Sequence, residues 1–226
     1  MFRRGIFSAL LVLGATTLVF GCGMFGKTYR YKLTVEVNTP QGLKTGYAVR
    51  EINYTQGIKL PDSSGVYATE NGEAVAVELP GGQTLFALLD TDAYVTLQTG
   101  FGGDSPAILD AARADKRVAV VKPFPPTIGT NPTDPSNYFH GYPRLVQFKN
   151  LRDPMSMTTI KPDALAASFG PGVRLKRITI QMTNDPVTTG IEKRIPWIDH
   201  LDRYLADPKN PFTSTLPGDF GGFRNK

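Results

Sequence analysis

The chain has one cysteine, two histidines and, beyond its first 21 residues, no apolar run long enough to cross a bilayer. Each shortage removes a class of protein. With Cys22 as the only thiol there is no internal disulfide and no cysteine-built metal centre, so the fold rests on its core alone. His140 and His200 lack ligand spacing, and structural zinc needs four such donors. No metal or other cofactor is therefore expected. No Gly-x-Ser-x-Gly marks a nucleophile elbow. Gly100-Phe101-Gly102-Gly103 leads into Asp104, an anion where a phosphate cradle wants none.

What is present begins at the N-terminus. Arg3 and Arg4 supply positive charge, residues 5–20 carry none, and Val19-Phe20-Gly21-Cys22 closes the run. That is the layout of a secretory signal. Its last four residues resemble the lipobox of bacterial lipoproteins, with Phe20 bulkier than the usual residue there. The resemblance implies that residues 1–21 are removed, that Cys22 carries lipid, and that residues 22–28 form a short tether. It also implies a periplasmic face of the envelope; Gly23, in place of a retention aspartate, points to the outer membrane. An uncleaved anchor is the competing reading. The apolar run of 16 residues falls short of the ~20 that a spanning helix needs.

Charge is uneven along the chain. Losing Arg3 and Arg4 leaves 23 basic against 20 acidic side chains, +3 rather than +5. Residues 22–112 balance to −4 and residues 113–226 to +7. Such asymmetry marks either an anionic partner or two halves that complement each other within one fold.

Patterning predicts an α+β fold, mainly antiparallel sheet, with two or three short helices and a long proline-rich loop. Over residues 29–38, Tyr29, Tyr31, Leu33, Val35 and Val37 alternate with Arg30, Lys32, Thr34, Glu36 and Asn38, the mark of a half-buried strand. Thr39-Pro40-Gln41-Gly42 is turn chemistry, and residues 44–54 read as the antiparallel partner. Residues 73–79 and 83–89 flank Pro80-Gly81-Gly82 as a second hairpin, and the latter strand, apolar on both faces, should be central.

A first helix is expected over 105–115, capped by Ser105 with Pro106 in its first turn, then a buried strand over 117–121. Residues 122–143 hold six prolines and form the loop. Residues 162–169 read as a short helix stopped by Gly170-Pro171. Residues 173–182 read as a strand whose phase slips, so a bulge at Lys176-Arg177 would keep Val173, Leu175, Ile178, Ile180 and Met182 inward. A last helix over 196–206 carries a Trp197, Ile198, Leu201, Tyr204 and Leu205 stripe, followed by an irregular tail over 207–226. No repeat or linker divides residues 29–226, which read as one domain.

Few residues offer chemistry. Asp90 and Asp92 share one side of a strand end, but without further oxygen ligands they make a weak calcium site. Tyr29-Arg30-Tyr31-Lys32 mixes rings and cations, yet a strand sends them to opposite faces, which removes nucleic acid as a partner. Arg174, Lys176 and Arg177 all face outward around the bulge and are the candidate contacts for an anionic lipid or glycan.

Tyr29-Arg30-Tyr31-Lys32-Leu33-Thr34-Val35-Glu36-Val37 with Thr39-Pro40-x-Gly42, Phe169-Gly170-Pro171-Gly172-Val173, and Thr188-Thr189-Gly190-Ile191-Glu192 through Pro196-Trp197 resemble the signatures of a family of predicted bacterial lipoproteins. The resemblance implies a shared fold and carries no activity. The leading expectation is a non-enzymatic envelope lipoprotein that binds a partner or surface. The alternative is a hydrolase of envelope material using His140 with a carboxylate.

Overall fold

Tyr29, Tyr31, Leu33, Val35 and Val37 are all buried, while Arg30, Lys32, Thr34 and Glu36 between them stay partly exposed. The computed structural model describes residues 26–56, 66–89, 93–122 and 142–200. Strand β1 (Lys27–Thr39) turns at Pro40-Gln41 and returns as β2 (Gly42–Gln56). Their antiparallel register is unbroken from Lys27 opposite Tyr54 to Thr39 opposite Gly42. The alternation in the sequence is therefore the alternation of the fold, because successive side chains leave a strand on opposite faces.

Two antiparallel sheets result. In chain order the remaining strands are β3 (Val66–Asn71), β4 (Val75–Leu79), β5 (Gln83–Ala87), β6 (Val118–Val120), β7 (Leu145–Phe148), β8 (Met157–Ile160) and β9 (Arg174–Met182). The first sheet runs β3-β2-β1-β9-β6 and the second β4-β5-β7-β8. Helices α1 (Ala93–Phe101), α2 (Pro106–Ala114) and α3 (Leu165–Phe169) complete an α+β fold dominated by antiparallel strands.

The main core fills the space between the inner face of the first sheet, one face of the second, and helices α1 and α2. Leu85 and Ala87 of β5 belong to it, whereas Phe86 and Leu88 belong to a second cluster with Val146, Ile195 and Trp197. From Leu85 onward β5 is thus covered on both faces, in keeping with its unbroken apolar run Leu85-Phe86-Ala87. At Gly46 of β2 the sheets approach closely: a Cβ there would stand 2.2 Å from the Ala76 carbonyl oxygen.

Four expectations need correction. Residues 93–101 form α1, although their tyrosine, valine, threonines and Gly100 do not favour a helix. Tertiary packing overrides propensity here: Leu97 and Phe101 are buried, and at Gly100 the helix lies so near β9 that a Cβ would meet Ile180 Cδ1 at 2.4 Å. Residues 117–121 are not a buried strand. β6 is a three-residue edge with Val118 and Val120 exposed and only Ala119 and Val121 turned inward.

Ser105 stands at the N-cap of α2 without a side-chain capping bond, while Pro106 takes the first turn as expected. The last helix opens as a 3-10 turn, Pro196–His200, with Trp197 and Ile198 buried. The rest of its stripe, the tail, most of the proline-rich loop with His140, the Asp90–Asp92 pair, the signal and Cys22 lie outside the described residues, as does the side chain of His200.

Candidate functional site

The bulge sits where the sequence locates it. Glu36 faces Arg177 and Val37 faces Leu175, so Lys176 is the extra residue of β9. Val173, Ile178, Ile180 and Met182 stay buried on both sides of the slip. The slip sends Lys176 and Arg177 to one carboxylate. Arg177 Nε and Nη2 donate to Glu36 at 2.9 and 2.8 Å, and Lys176 Nζ stands 3.0 Å away. Arg174, opposite Asn38, is exposed. One acid thus holds two of the three cations, and the bulge keeps a positive excess.

The Arg177 hydrogen bonds, with help from Lys176, hold the Glu36 carboxyl below its ordinary value. A carboxyl whose value is depressed by folding binds its proton more readily in the unfolded chain, so stability rises with pH across that range. Its contribution is complete above the unfolded carboxylate value of about 4.3 and fades as pH falls below it. Glu36→Gln should accordingly lower the denaturation midpoint near neutral pH, and the gap from wild type should shrink on acidification toward about pH 3. Denaturant melts of both proteins across pH check this; a constant gap would rule it out.

Ion pairs also join the two halves of the chain. Lys32 meets Asp185 at 2.9 Å, and Arg194 meets Glu78. The acidic first half and the basic second half are strands of the same layers, and Glu36 and Glu78 of the first meet cations of the second.

Sequence reasoning overlooked the most constrained charge. Arg50 is wholly buried, at 0% exposure. Its Nη2 donates to the carbonyls of Leu88 at 3.0 Å and Ala87 at 3.4 Å, and its Nε to that of Glu73 at 3.4 Å. Nη1 lies 3.8 Å from Glu70 Oε1, which also accepts the Tyr31 hydroxyl. Burial, then the Glu70 charge, pushes the Tyr31 hydroxyl well above its ordinary range. Glu73, 5% exposed, accepts the backbone N–H groups of Gly190 at 2.7 Å and Ile191 at 3.1 Å. The signal was available: Arg50 shares the inward parity of Ala48 and Ile52 in β2.

Beyond the end of β3 the free edge of β2 is taken up by Thr188, which exchanges backbone and side-chain bonds with Val49. Beside it lies a half-open cleft of about 380 Å³, lined by Tyr47, Thr188, Thr189, Lys193 and Arg194 over the Glu73 carboxylate. Lys32 Nζ sits 5.1 Å from the centre of the Tyr47 ring. The cleft offers hydroxyls, cations and a ring edge, the donors of a polar ligand site.

The remaining candidates do not converge with these. Asp104 accepts the Tyr54 hydroxyl as part of the turn into α2. Tyr29 and Tyr31 point into the core, away from Arg30 and Lys32, as strand geometry requires. Among the described residues no three His, Cys, Asp or Glu side chains are grouped to hold a metal ion, and no helix is long and apolar enough to cross a membrane. No family model matches the chain, and neither a curated protein nor a solved structure does.

Proposed function

We propose that the chain is an envelope lipoprotein, anchored by lipid on Cys22, whose domain works as a non-enzymatic binding or structural module at the membrane. The observation that carries this reading is the Arg3-Arg4, apolar run and Val19-Phe20-Gly21-Cys22 layout. β1 starts at Lys27, so the first strand begins five residues after the lipid-bearing position. A tether that short keeps the domain against the bilayer, within about 18 Å. Gly23 directs the anchor to the outer membrane, and the partners in keeping with the basic second half are anionic lipid or glycan.

Cells fed a clickable fatty-acid analogue should incorporate it into the wild-type protein and not into Cys22→Ser, and fractionation should find the label in the outer membrane. An unlabelled protein that retains Arg3 and Arg4 would sink the reading. Label confined to the inner membrane would overturn only the choice of membrane.

A further inference from the structure

Among the described residues four large apolar side chains stand largely exposed: Leu43 at 49%, Tyr47 at 59%, Val118 at 60% and Val120 at 44%. All four lie on one face. Leu43 is opposite Asn38 and Tyr47 opposite Thr34 in β1. Val118 and Val120 are opposite Gln181 and Thr179 of β9, which are in turn opposite Lys32 and Thr34. Directly opposed residues in an antiparallel pair project to the same side. The odd residues of β1 point into the core, so the four apolar groups belong to the outer face of the first sheet. Tyr47, Thr34, Thr179 and Val120 form one row across four strands, about 14 Å wide, whose two apolar ends are exposed while Thr179 between them is buried. Single exposed apolar residues are ordinary; their confinement to one sheet face is not.

The same face is cationic at its hairpin end. Lys176 and Arg177 share Glu36, Arg174 stands exposed opposite Asn38, and Lys122, exposed two residues past Val120, keeps step with the outward valines. The other outward cations are matched, Arg30 by Glu51 and Lys32 by Asp185. Among the described residues the unmatched positive charge therefore lies beside the apolar row.

We propose that the outer face of the five-stranded sheet is a docking surface for an anionic bilayer. The bulge cations and Lys122 meet headgroup phosphates, Tyr47 sits at the interface, and Val118 and Val120 press toward the acyl boundary. Basic side chains near an anionic leaflet are attracted to it, and the attraction is lost within a Debye length. The short tether also brings this face within reach of the bilayer, a point that rests on the lipoprotein reading of Cys22.

The test uses the full chain, purified from membranes and added to preformed vesicles of phosphatidylglycerol or phosphatidylcholine. Val120→Cys probes the face, and Gln83→Cys, exposed on the second sheet, is the control. Each thiol is timed against a membrane-impermeant maleimide. Val120→Cys should react about tenfold more slowly on the anionic vesicles than on the neutral ones, and high salt should restore its rate. The Gln83→Cys rate should stay the same on both. Changing Arg174, Lys176 and Arg177 together to Gln should abolish the protection.

Equal rates on the two vesicles would overturn the docking surface. So would protection on both that survives salt, which would mean a second copy or another protein covers the face. The state of Cys22 is read separately in the same samples. If Cys22 labels while Val120→Cys is protected, the lipoprotein reading fails and the docking surface stands. If Cys22 is blocked and Val120→Cys is unprotected, the reverse holds.

Discussion

Arg50→Ala should cost about 3–5 kcal/mol of folding free energy, the range for removing one member of a buried ion pair. The guanidinium is the tie between layers: β2 carries it, and the carbonyls of Ala87 and Leu88 at the end of β5 receive it. Its Nε adds the Glu73 carbonyl, just before β4. Deleting it strips donors from carbonyls inside the protein, each worth about 1–3 kcal/mol when buried without a partner. It also removes the cation beside Glu70. Arg50→Lys should recover only a minor part, because an ammonium cannot reach these carbonyls and Glu70 with the fork of a guanidinium. Guanidinium unfolding followed by the emission of Trp197, the sole tryptophan, reads the change. A loss below about 1 kcal/mol would mean that water reaches the carbonyls and the tie is dispensable.

Trp197→Ala should be comparably damaging, at about 3–5 kcal/mol for a buried aromatic truncated to a methyl. The indole is 4% exposed, its ring centre 5.5 Å from that of Phe148, which meets Phe86 edge-on at 5.7 Å. Its Nε1 donates to the Leu151 carbonyl at 2.9 Å. It therefore clamps the segment after β9 onto the far face of the second sheet, together with Ile191, Ile195 and Ile198. Trp197→Phe keeps one aromatic ring but loses the pyrrole ring and its hydrogen bond, so it should cost more than the roughly 1 kcal/mol of that bond and less than Trp197→Ala. Thermal melts followed by far-ultraviolet circular dichroism measure both. An unchanged melting curve for Trp197→Ala would show that this segment docks without it.

Legibility followed the range of the forces involved. The inward set of β1, the hairpin at Pro40-Gln41 and the Lys176 bulge depend on alternation, which the residues themselves display. The short helix ended by Gly170 depends on local backbone preference and was readable for the same reason. α1 was not, since Tyr, Val, Thr and Gly100 suit a strand as well as a helix, and only the proximity of Ile180 accounts for the glycine. Nor was the rank of β6, since the V-A-V-V run over 118–121 cannot reveal that among the described residues nothing pairs beyond it in the sheet. Arg50 was passed over because cations in strands are usually read as outward, although parity places it inward.

The sequence by itself determined the strand faces, the bulge and the charged signal layout ahead of Cys22, because each is a periodic or contiguous pattern of side-chain chemistry. Only the tertiary structure decided which strands pair beyond the two hairpins, that Glu36 receives both bulge cations, that Arg50 ties two sheets together, and that Leu43, Tyr47, Val118 and Val120 share one face. These contacts join residues far apart in the chain. Their partners are chosen by burial and closure across layers, which no local pattern encodes.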